Sequence, residues 1–383
     1  MRLRQYRSIA GCDVTLGPLS LLVGPNGAGK SNFLDALRLT AQAVNENLDN
    51  ALRERGGIAE VRRRSRGHPT SFFVSVDFRT NGTSGRYSYQ IGALKGGDYR
   101  VTHEECRVTS VEFGTEPRYF VVRDGKVERT SEPLLPPVAN DRLYLVSAAS
   151  IEAFRPVFDG LGAINVYNIN PDTIRQLQKP EAGDLLRRDG ANIASVIERL
   201  RRDNPAIKKR IEEYLSRVVD GVGAVDRHGF GAWEAVEFRQ RVAGDEAPWT
   251  FQATSMSDGT LRVLGVLTAL FGGSVELASP VGVEEPEAAL HPAAAGLLLD
   301  ALRDASDNRQ VLVTTHSPDL LDSPDITPDE LLAVRADSGT TRVARVDAAG
   351  QKALQQALYT PGELLRVDQL LPDENAPQQL DLW

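Results

Sequence analysis

The stretch Gly24-Pro25-Asn26-Gly27-Ala28-Gly29-Lys30-Ser31 decides the fold, and it has the pattern GxxxxGK[ST]. The apolar run Leu19–Val23 precedes it and predicts a strand, while residues 32–44 follow with helical periodicity. Glycines let such a loop point successive backbone N–H groups at phosphate oxygens, and the start of the helix adds its positive end. We therefore predict that residues 24–31, together with Asn32, bind a nucleoside triphosphate.

Two side chains of this stretch have a predicted role beyond the cradle. The Lys30 ammonium can reach the β- and γ-phosphates, and the Ser31 hydroxyl is a natural ligand of Mg²⁺. An apolar strand at residues 281–283 then delivers Glu284 and Glu285 directly before Pro286. In an open α/β sheet, ligands lie at this carboxyl end of the strands. We predict that Glu284 and Ser31 hold Mg²⁺ and that Glu285 orients the attacking water.

Two further motifs follow the same logic. Residues 311–315 form an apolar strand that ends at His316, and this histidine is placed to sense the γ-phosphate. Ser257-Asp258-Gly259 opens the helix predicted from residue 261, and a helix N-terminus of this composition is a second phosphate cradle. One nucleotide rarely needs two cradles. We therefore predict that this second cradle covers a nucleotide bound to another copy of the chain. The alternative is that these residues are a simple helix N-cap.

The spacing of hydrophobic residues changes several times along the chain. Residues 56–69 are polar and predict a loop. Alternating residues 73–79 and the turn signal Asn81-Gly82 open an antiparallel β region, with more strands expected at 87–91, 108–113, 119–122 and 143–146. Residues 193–200 and 205–218 have amphipathic helical patterns, and Asn170-Pro171 in the stretch 167–175 predicts a turn and helix start.

After a strand at 233–242, strands and helices alternate, and residues 331–346 predict a hairpin turning at Ser338-Gly339. This indicates an α/β fold with a mixed sheet. We expect a discontinuous core of residues 1–68 and 236–383, an antiparallel β lobe at 69–150 and an inserted helical lobe at 151–235.

Composition bounds the class of protein. Hydrophobic residues make up 41% and charged residues 25% of 383 residues, which is an ordinary globular balance. We find no transmembrane run or signal peptide, and Cys12 and Cys106 are expected to be free thiols in a cytoplasmic protein. The net charge is −8, yet residues 53–66 and 199–210 are basic. Each basic stretch is either a solvated face or a contact for nucleic acid or an acidic partner.

The P-loop, Ser-Asp-Gly, Glu-Glu-Pro-Glu and Thr-Thr-His-Ser motifs, in that order, resemble the ABC-type ATPase heads of the SMC, RecF and OLD nuclease group. The resemblance is closest to stand-alone bacterial AAA family ATPases of RecF/OLD type. It covers residues 1–45 and 245–335 strongly and the rest weakly. It implies ATP with Mg²⁺, catalysis by Glu285 with His316 and Lys30, and a homodimer in which Ser257, Asp258 and Gly259 of one chain engage the γ-phosphate held by the other.

The resemblance also has departures and implications for partners. Glu284 stands where many relatives have Asp, and no glutamine clearly matches the Q-loop, although Gln90 is a candidate. The long coiled coil of SMC proteins and the Toprim nuclease domain of OLD proteins are missing. Relatives of this shape are often paired with a separately encoded Toprim-like or other effector, which implies a role in DNA repair or phage defence.

Several functions stay open at the level of sequence. The first is an ATP-gated dimeric switch for a nucleic-acid-directed process. The second is a nucleotide-binding interaction module with negligible turnover. The ATPase subunit of a membrane transporter fits the inserted lobes less well, and a GTPase lacks the Asn-Lys-x-Asp motif that reads guanine.

Overall fold

The computed structural model describes residues 1–65, 69–80, 82–110, 116–133, 136–139, 141–242, 244–245, 247–273 and 279–376. Its strands are β1 (Arg2–Tyr6), β2 (Ile9–Asp13), β3 (Leu19–Val23), β4 (Ser71–Thr80), β5 (Thr83–Ala93), β6 (Tyr99–Ser110), β7 (Arg118–Arg123), β8 (Lys126–Thr130), β9 (Asn165–Tyr167), β10 (Val222–Phe230), β11 (Trp233–Gln240), β12 (Trp249–Gln252), β13 (Val281–Glu284), β14 (Val311–Thr315), β15 (Leu331–Asp337) and β16 (Thr340–Arg345). Its α-helices are α1 (Lys30–Asn45), α2 (Leu48–Arg53), α3 (Ile58–Val61), α4 (Leu145–Ala148), α5 (Arg155–Gly162), α6 (Pro171–Arg175), α7 (Ile193–Asp203), α8 (Pro205–Val218), α9 (Asp258–Phe271), α10 (Ala295–Ser306), α11 (Ala348–Gln355) and α12 (Pro361–Arg366).

Within these described ranges, thirteen strands form the main sheet in the order β8-β7-β6-β5-β4-β1-β2-β16-β15-β3-β14-β13-β9. The run β15, β3, β14, β13, β9 is parallel throughout. Antiparallel strands β4 to β8 extend the same sheet on the far side of β1. Strands β10, β11 and β12 form a small antiparallel sheet. The predicted α/β fold with a mixed sheet is confirmed, and the antiparallel strands are a continuation of that sheet.

Strand β3 lies between β15 and β14, and all five of its residues are buried. Its side chains alternate between the two faces of the sheet, as strand geometry requires. Leu22 packs in a hydrophobic cluster with Phe33 of α1, while Leu21 and Val23 pack in a second cluster with α9 and α10. A strand that is buried on both faces has a nearly continuous apolar sequence, and Leu19–Val23 has this pattern with the buried Ser20 as its one polar residue.

The two amphipathic helices predicted from residue 193 onward are α7 and α8. Asn204 caps α8 by accepting a hydrogen bond from the Ile207 N–H, with Pro205 in the first turn. Their apolar faces join the cluster that contains α9, with Ile197 and Leu215 buried. They therefore pack against the core of the molecule.

The strand predicted at 143–146 is wrong, because Leu145–Ala148 is helix α4. The carboxylate of Glu104 in β6 accepts hydrogen bonds from the N–H groups of Tyr144 (2.5 Å) and Leu145 (2.8 Å). This acceptor satisfies N–H groups that a helix start leaves free, so a distant side chain overrides the local strand pattern.

Other differences are small. The polar stretch 56–69 contains the short helix α3. Asn81 of the predicted turn, residues 111–113 of the predicted strand and the boundary at residue 68 lie outside the described residues. None of the helices in the described ranges is long and apolar enough to cross a bilayer.

Candidate nucleotide-binding site

The loop between β3 and α1 has the backbone that its glycines predict. A Cβ atom added to Gly24 would lie 2.0 Å from the carbonyl oxygen of Val334. One added to Gly29 would lie 2.2 Å from Thr341 Oγ1, and the φ of Gly29 is 99°. Both positions therefore exclude other residues. Pro25, Asn26 and Gly27 are exposed, so the outer side of the loop is open to a ligand.

A hydroxyl network supports this loop from behind. Thr341 Oγ1 donates to the carbonyl oxygen of Ala28 (2.8 Å) and lies 2.7 Å from Ser8 Oγ. Asn32, predicted as part of the nucleotide cradle, donates from Nδ2 to Ser8 Oγ (2.7 Å). Asn32 is thus tied to the support of the loop. Sequence reasoning missed Ser8 and Thr341, because nothing local marks two hydroxyls from opposite ends of the chain as partners.

The side chain of Lys30 curls over the loop. Its ammonium donates to the carbonyl oxygens of Gly24 (2.9 Å) and Pro25 (3.0 Å), and Nζ lies 3.8 Å from Glu285 Oε1. Burial lowers the pKa of Lys30, and the neighbouring carboxylates of Glu285 and Glu287 oppose that shift. The ammonium is therefore poorly hydrated, and backbone carbonyl oxygens take the place of water around it.

Glu285 and His316 meet at the carboxyl ends of adjacent strands. Glu285 follows β13 with a φ of 44°, a left-handed conformation that costs a non-glycine residue on the order of 1 kcal/mol or more. His316 follows β14, and its Nδ1 atom lies 3.2 Å from Glu285 Oε1. Lys30 at the start of α1 and His316 after β14 thus approach the same carboxylate oxygen. The structure brings these three predicted residues together.

Glu287 is a buried carboxyl beside this group. Thr315 Oγ1 donates to Glu287 Oε1 (2.5 Å), whereas Oε2 is buried with no hydrogen-bond partner among the described residues. Burial raises the pKa of Glu287. Its contact with the strand that ends at His316 is a tertiary finding.

Glu284 and Ser31 are the predicted metal ligands. The Glu284 side chain is only 12% exposed, and Oε1 lies 2.7 Å from the Arg188 guanidinium. Ser31 is exposed in the first turn of α1. A carboxylate and a hydroxyl are hard oxygen donors of the kind that Mg²⁺ takes together with water and phosphate. The residues present therefore fit Mg²⁺, and its chemistry when bound would be to neutralise charge on the phosphates.

The predicted second cradle lies at the start of α9. Ser257 caps the helix by accepting a hydrogen bond from the Thr260 N–H (3.2 Å). The Arg175 guanidinium contacts Asp258 Oδ1 (2.5 Å), and a Cβ atom on Gly259 would lie 2.6 Å from the carbonyl oxygen of Ala289. Within the described residues, the hydrogen bonds of residues 257–259 reach Arg175 and the first turn of α9, and none reaches residues 24–31.

Gln90, the glutamine considered for the Q-loop, does not lie on the parallel strands that carry the candidate site. Gln90 lies in β5, where its side chain donates to Ser71 Oγ (2.8 Å). The strand beside β13 is β9, and its register pairs Val283 with Tyr167. Asn168 is therefore the residue level with Glu284. A short strand of three residues carries too weak a pattern to be found in the sequence.

Fold and motif order define the class: the chain has the α/β P-loop fold of the SMC ATPase heads. The family model described as "AAA domain, putative AbiEii toxin, Type IV TA system" matches residues 19–322. The chain belongs to that family.

Solved structures agree on the fold. An SMC head bound to the C-terminal winged-helix domain of ScpA is 16% identical with a TM-score of 0.55, over 92% of this chain and 98% of that one. An SMC head with an extended coiled coil, bound to the C-terminal domain of ScpA and derived from Pyrococcus furiosus, is 12% identical with a TM-score of 0.51, over 93% and 98%. No curated protein sequence gives a significant match.

Proposed function

We propose that this protein binds and hydrolyses ATP with Mg²⁺, and that two copies join head to tail around the nucleotide. The observation that carries the proposal is the meeting of Lys30, Glu285 and His316 at the ends of adjacent parallel strands. Ligands of open α/β sheets bind at that edge. The three side chains come from separate motifs, and their meeting beside a phosphate cradle is what in-line phosphoryl transfer requires.

Each residue has a distinct role in this proposal. The N–H groups of residues 24–31 and the Lys30 ammonium hold the phosphates, and Ser31 with Glu284 would hold Mg²⁺. Glu285 accepts a hydrogen bond from the attacking water and aligns it. His316, already 3.2 Å from that carboxylate, senses the γ-phosphate and keeps Glu285 oriented.

The dimer follows from the position of the second cradle. Ser257, Asp258 and Gly259 start α9, and their described hydrogen bonds stay away from the phosphate loop of the same chain. The start of a helix is a ready anion site, so a second copy can supply the missing phosphate. A composite site of this kind makes nucleotide binding and dimerisation one event.

The partner and process are the finer part of the proposal. We propose that residues 1–68 and 236–383 form the core, residues 69–150 the β lobe and residues 151–235 the helical lobe. We also propose that a separately encoded effector works with this protein on nucleic acid in DNA repair or phage defence. The family description names a putative toxin of a type IV system, and the similar SMC heads are bound to ScpA. Both support a head that works with another protein.

The basic stretches add no support for nucleic acid. In residues 199–210 the cations pair with carboxylates of the same region: Arg199 with Asp184 and Asp203, Arg201 with Glu198, Arg202 with Asp203, Lys208 with Glu212 and Asp226, Lys209 with Glu213, and Arg210 with Asp304. In residues 53–64, Arg55 is buried against Asp35, and Arg63 donates to Thr340. Residues 199–210 fit the interpretation of a solvated face whose charges pair with carboxylates. In the other stretch Arg62 and Arg63 donate to the Pro69 carbonyl and the Thr340 hydroxyl, and Arg66 lies outside the described residues.

The test is steady-state ATP hydrolysis against protein concentration, with Glu285→Gln as the inactive variant and Glu213→Gln as a surface control. We expect activity per chain to rise with concentration, because the site needs two copies. Glu285→Gln should lose at least 100-fold in rate, while Glu213→Gln stays within twofold, as expected for an exposed pair.

Other outcomes point elsewhere. Tight ATP binding with equal, negligible turnover in wild type and Glu285→Gln would favour the interaction module. Activity that does not depend on protein concentration, in a chain that stays monomeric with ATP, would contradict the composite site.

A further inference from the structure

Glu284 is held by an arginine that no sequence motif contains. Arg188 lies in the connection between α6 and α7, and its guanidinium is 2.7 Å from Glu284 Oε1. The arginine is 45% exposed, but the carboxylate is only 12% exposed. Among the described residues, Arg188 is the ion-pair partner of Glu284. A buried carboxylate oxygen needs a hydrogen-bond partner in place of water, and the Arg188 guanidinium supplies it.

The loop that carries Arg188 is tied down on both sides. The carbonyl oxygen of Arg188 accepts a hydrogen bond from the Asn168 N–H (2.9 Å), and that of Asp189 accepts one from the Asn170 N–H (3.0 Å). On the other side, the buried Asn192 accepts from the Arg187 N–H (2.8 Å) and donates to the carbonyl oxygen of Leu185 (2.9 Å). The backbone of Arg188 is therefore fixed relative to β9, the neighbour of the strand that ends in Glu284.

This arrangement accounts for the stretch 167–175, which the sequence marked without a role. Residues 168 and 170 bind the Arg188 loop, and Asn170 also caps α6 by accepting from the Asp172 N–H. Glu284 has one methylene more than the aspartate of many related proteins, so its carboxylate has an extra rotatable bond. An ordered guanidinium beside it removes that freedom.

We propose that Arg188 is a positioning residue of the ATPase site, holding the Glu284 carboxylate where it serves Mg²⁺. The inference rests on the proposed function. Residues that hydrogen-bond to a metal ligand orient it, and their loss lowers metal affinity by about 10- to 100-fold. The positive charge of Arg188 also repels the metal. The guanidinium is 45% exposed and Mg²⁺ keeps part of its water shell, so water weakens this repulsion, and orientation of the carboxylate is the larger effect in our proposal.

The chain offers a matched control one residue away. Arg187 is an arginine in the same loop, but its guanidinium pairs with Glu181 on the surface. We would compare Arg188→Ala and Arg187→Ala, each in the Glu285→Gln background, so that nucleotide is not consumed. The readout is the Mg²⁺ concentration at half-maximal binding of a fluorescent ATP analogue, with binding in EDTA and the thermal midpoint measured alongside.

We expect Arg188→Ala to raise the Mg²⁺ midpoint about tenfold relative to Arg187→Ala, with little change in EDTA. In a Glu284→Gln background the two alanine variants should be equal, because Arg188 acts through that carboxylate. Arg188→Lys should recover part of the affinity.

Two results would overturn the inference. One is an equal Mg²⁺ midpoint for the two alanine variants, and the other is a lower midpoint for Arg188→Ala, which would make the arginine a competitor of the metal. If wild-type binding showed no Mg²⁺ dependence and Glu284→Gln changed nothing, the proposed function itself would fail. If wild-type binding depends on Mg²⁺ and only Arg188→Ala has no effect, the inference about Arg188 fails while the proposed function stands.

Discussion

The loop at residues 24–31 is held in place by a hydroxyl from a distant part of the chain. Thr341 is 1% exposed and lies at the start of β16, yet its hydroxyl holds the Ala28 carbonyl and reaches Ser8. The close approach of Thr341 to Gly29 also explains why that position must be glycine. The geometry of residues 24–31 thus depends on a residue more than 300 positions away.

We expect Thr341→Val to leave the Ala28 carbonyl unpaired in a buried site, which costs about 1–3 kcal/mol. The free energy of unfolding should fall by that amount, and ATP affinity should fall several-fold because the loop loses its support. Chemical denaturation and equilibrium nucleotide binding measure the two effects. Thr341→Ser keeps the hydroxyl and is the control, and a valine variant that matches serine in both measurements would refute the role.

At the scale of elements, the segment from β9 to α6 joins the two halves of the site. β9 lies beside β13, and at the other end Arg175 of α6 contacts Asp258 and the carbonyl oxygen of Met256 (3.3 Å). One short segment therefore fixes both the edge of the sheet that carries Glu284 and the start of α9. The contact between Arg175 and Asp258 ties α6 to the first turn of α9.

Arg175→Ala should weaken ATP-dependent dimerisation about tenfold, because the cradle at residues 257–259 is no longer held for the second nucleotide. The measurement is analytical ultracentrifugation with ATP in the Glu285→Gln background. Binding of ATP to the single chain should not change, since it depends on residues 24–31. Arg201→Ala, which removes an exposed pair within α7, is the control. Equal dimerisation of the two variants would contradict the prediction.

Element-scale packing also corrected a local prediction. Residues 143–146 have the pattern of a strand, but Glu104 in β6 accepts the N–H groups of Tyr144 and Leu145 and starts helix α4. Tyr87 also donates to this carboxylate (2.9 Å). A buried carboxyl with three donors is a tertiary feature, because no window of sequence includes all four residues.

For the whole molecule, Glu104 makes folding stability depend on pH. Burial raises the pKa of Glu104 from 4.5 to about 7, and its hydrogen bonds oppose that shift. The folded state therefore binds this proton more tightly than the unfolded state. The stabilisation is fully present below about pH 4.5 and is lost as the pH rises through about 7.

Relative to Glu104→Gln, the wild-type free energy of unfolding should fall by on the order of 3 kcal/mol between pH 4.5 and 7. Urea denaturation at several pH values measures this difference. Glu105→Gln, a change at the neighbouring half-buried carboxyl, is the control. A flat difference between wild type and Glu104→Gln over this range would show that the carboxyl is not buried as described.

The sequence alone determined the class of fold, the phosphate loop and the order of the motifs. Each depends on neighbouring residues: an apolar strand buried on both faces, glycines where only glycine fits, and polar residues directly after a strand. These forces are local, so they leave a pattern that a reader of the sequence can find.

Only the tertiary structure decided which side chains meet. Lys30, Glu285 and His316 approach one another because β3, β14 and β13 are neighbours in the sheet, which their order in the chain does not dictate. Arg188 reaches Glu284, Thr341 supports Ala28 and Glu104 starts α4 for the same reason. Their partners are chosen by packing and by the need to pair buried polar groups, and both act between residues far apart in the chain.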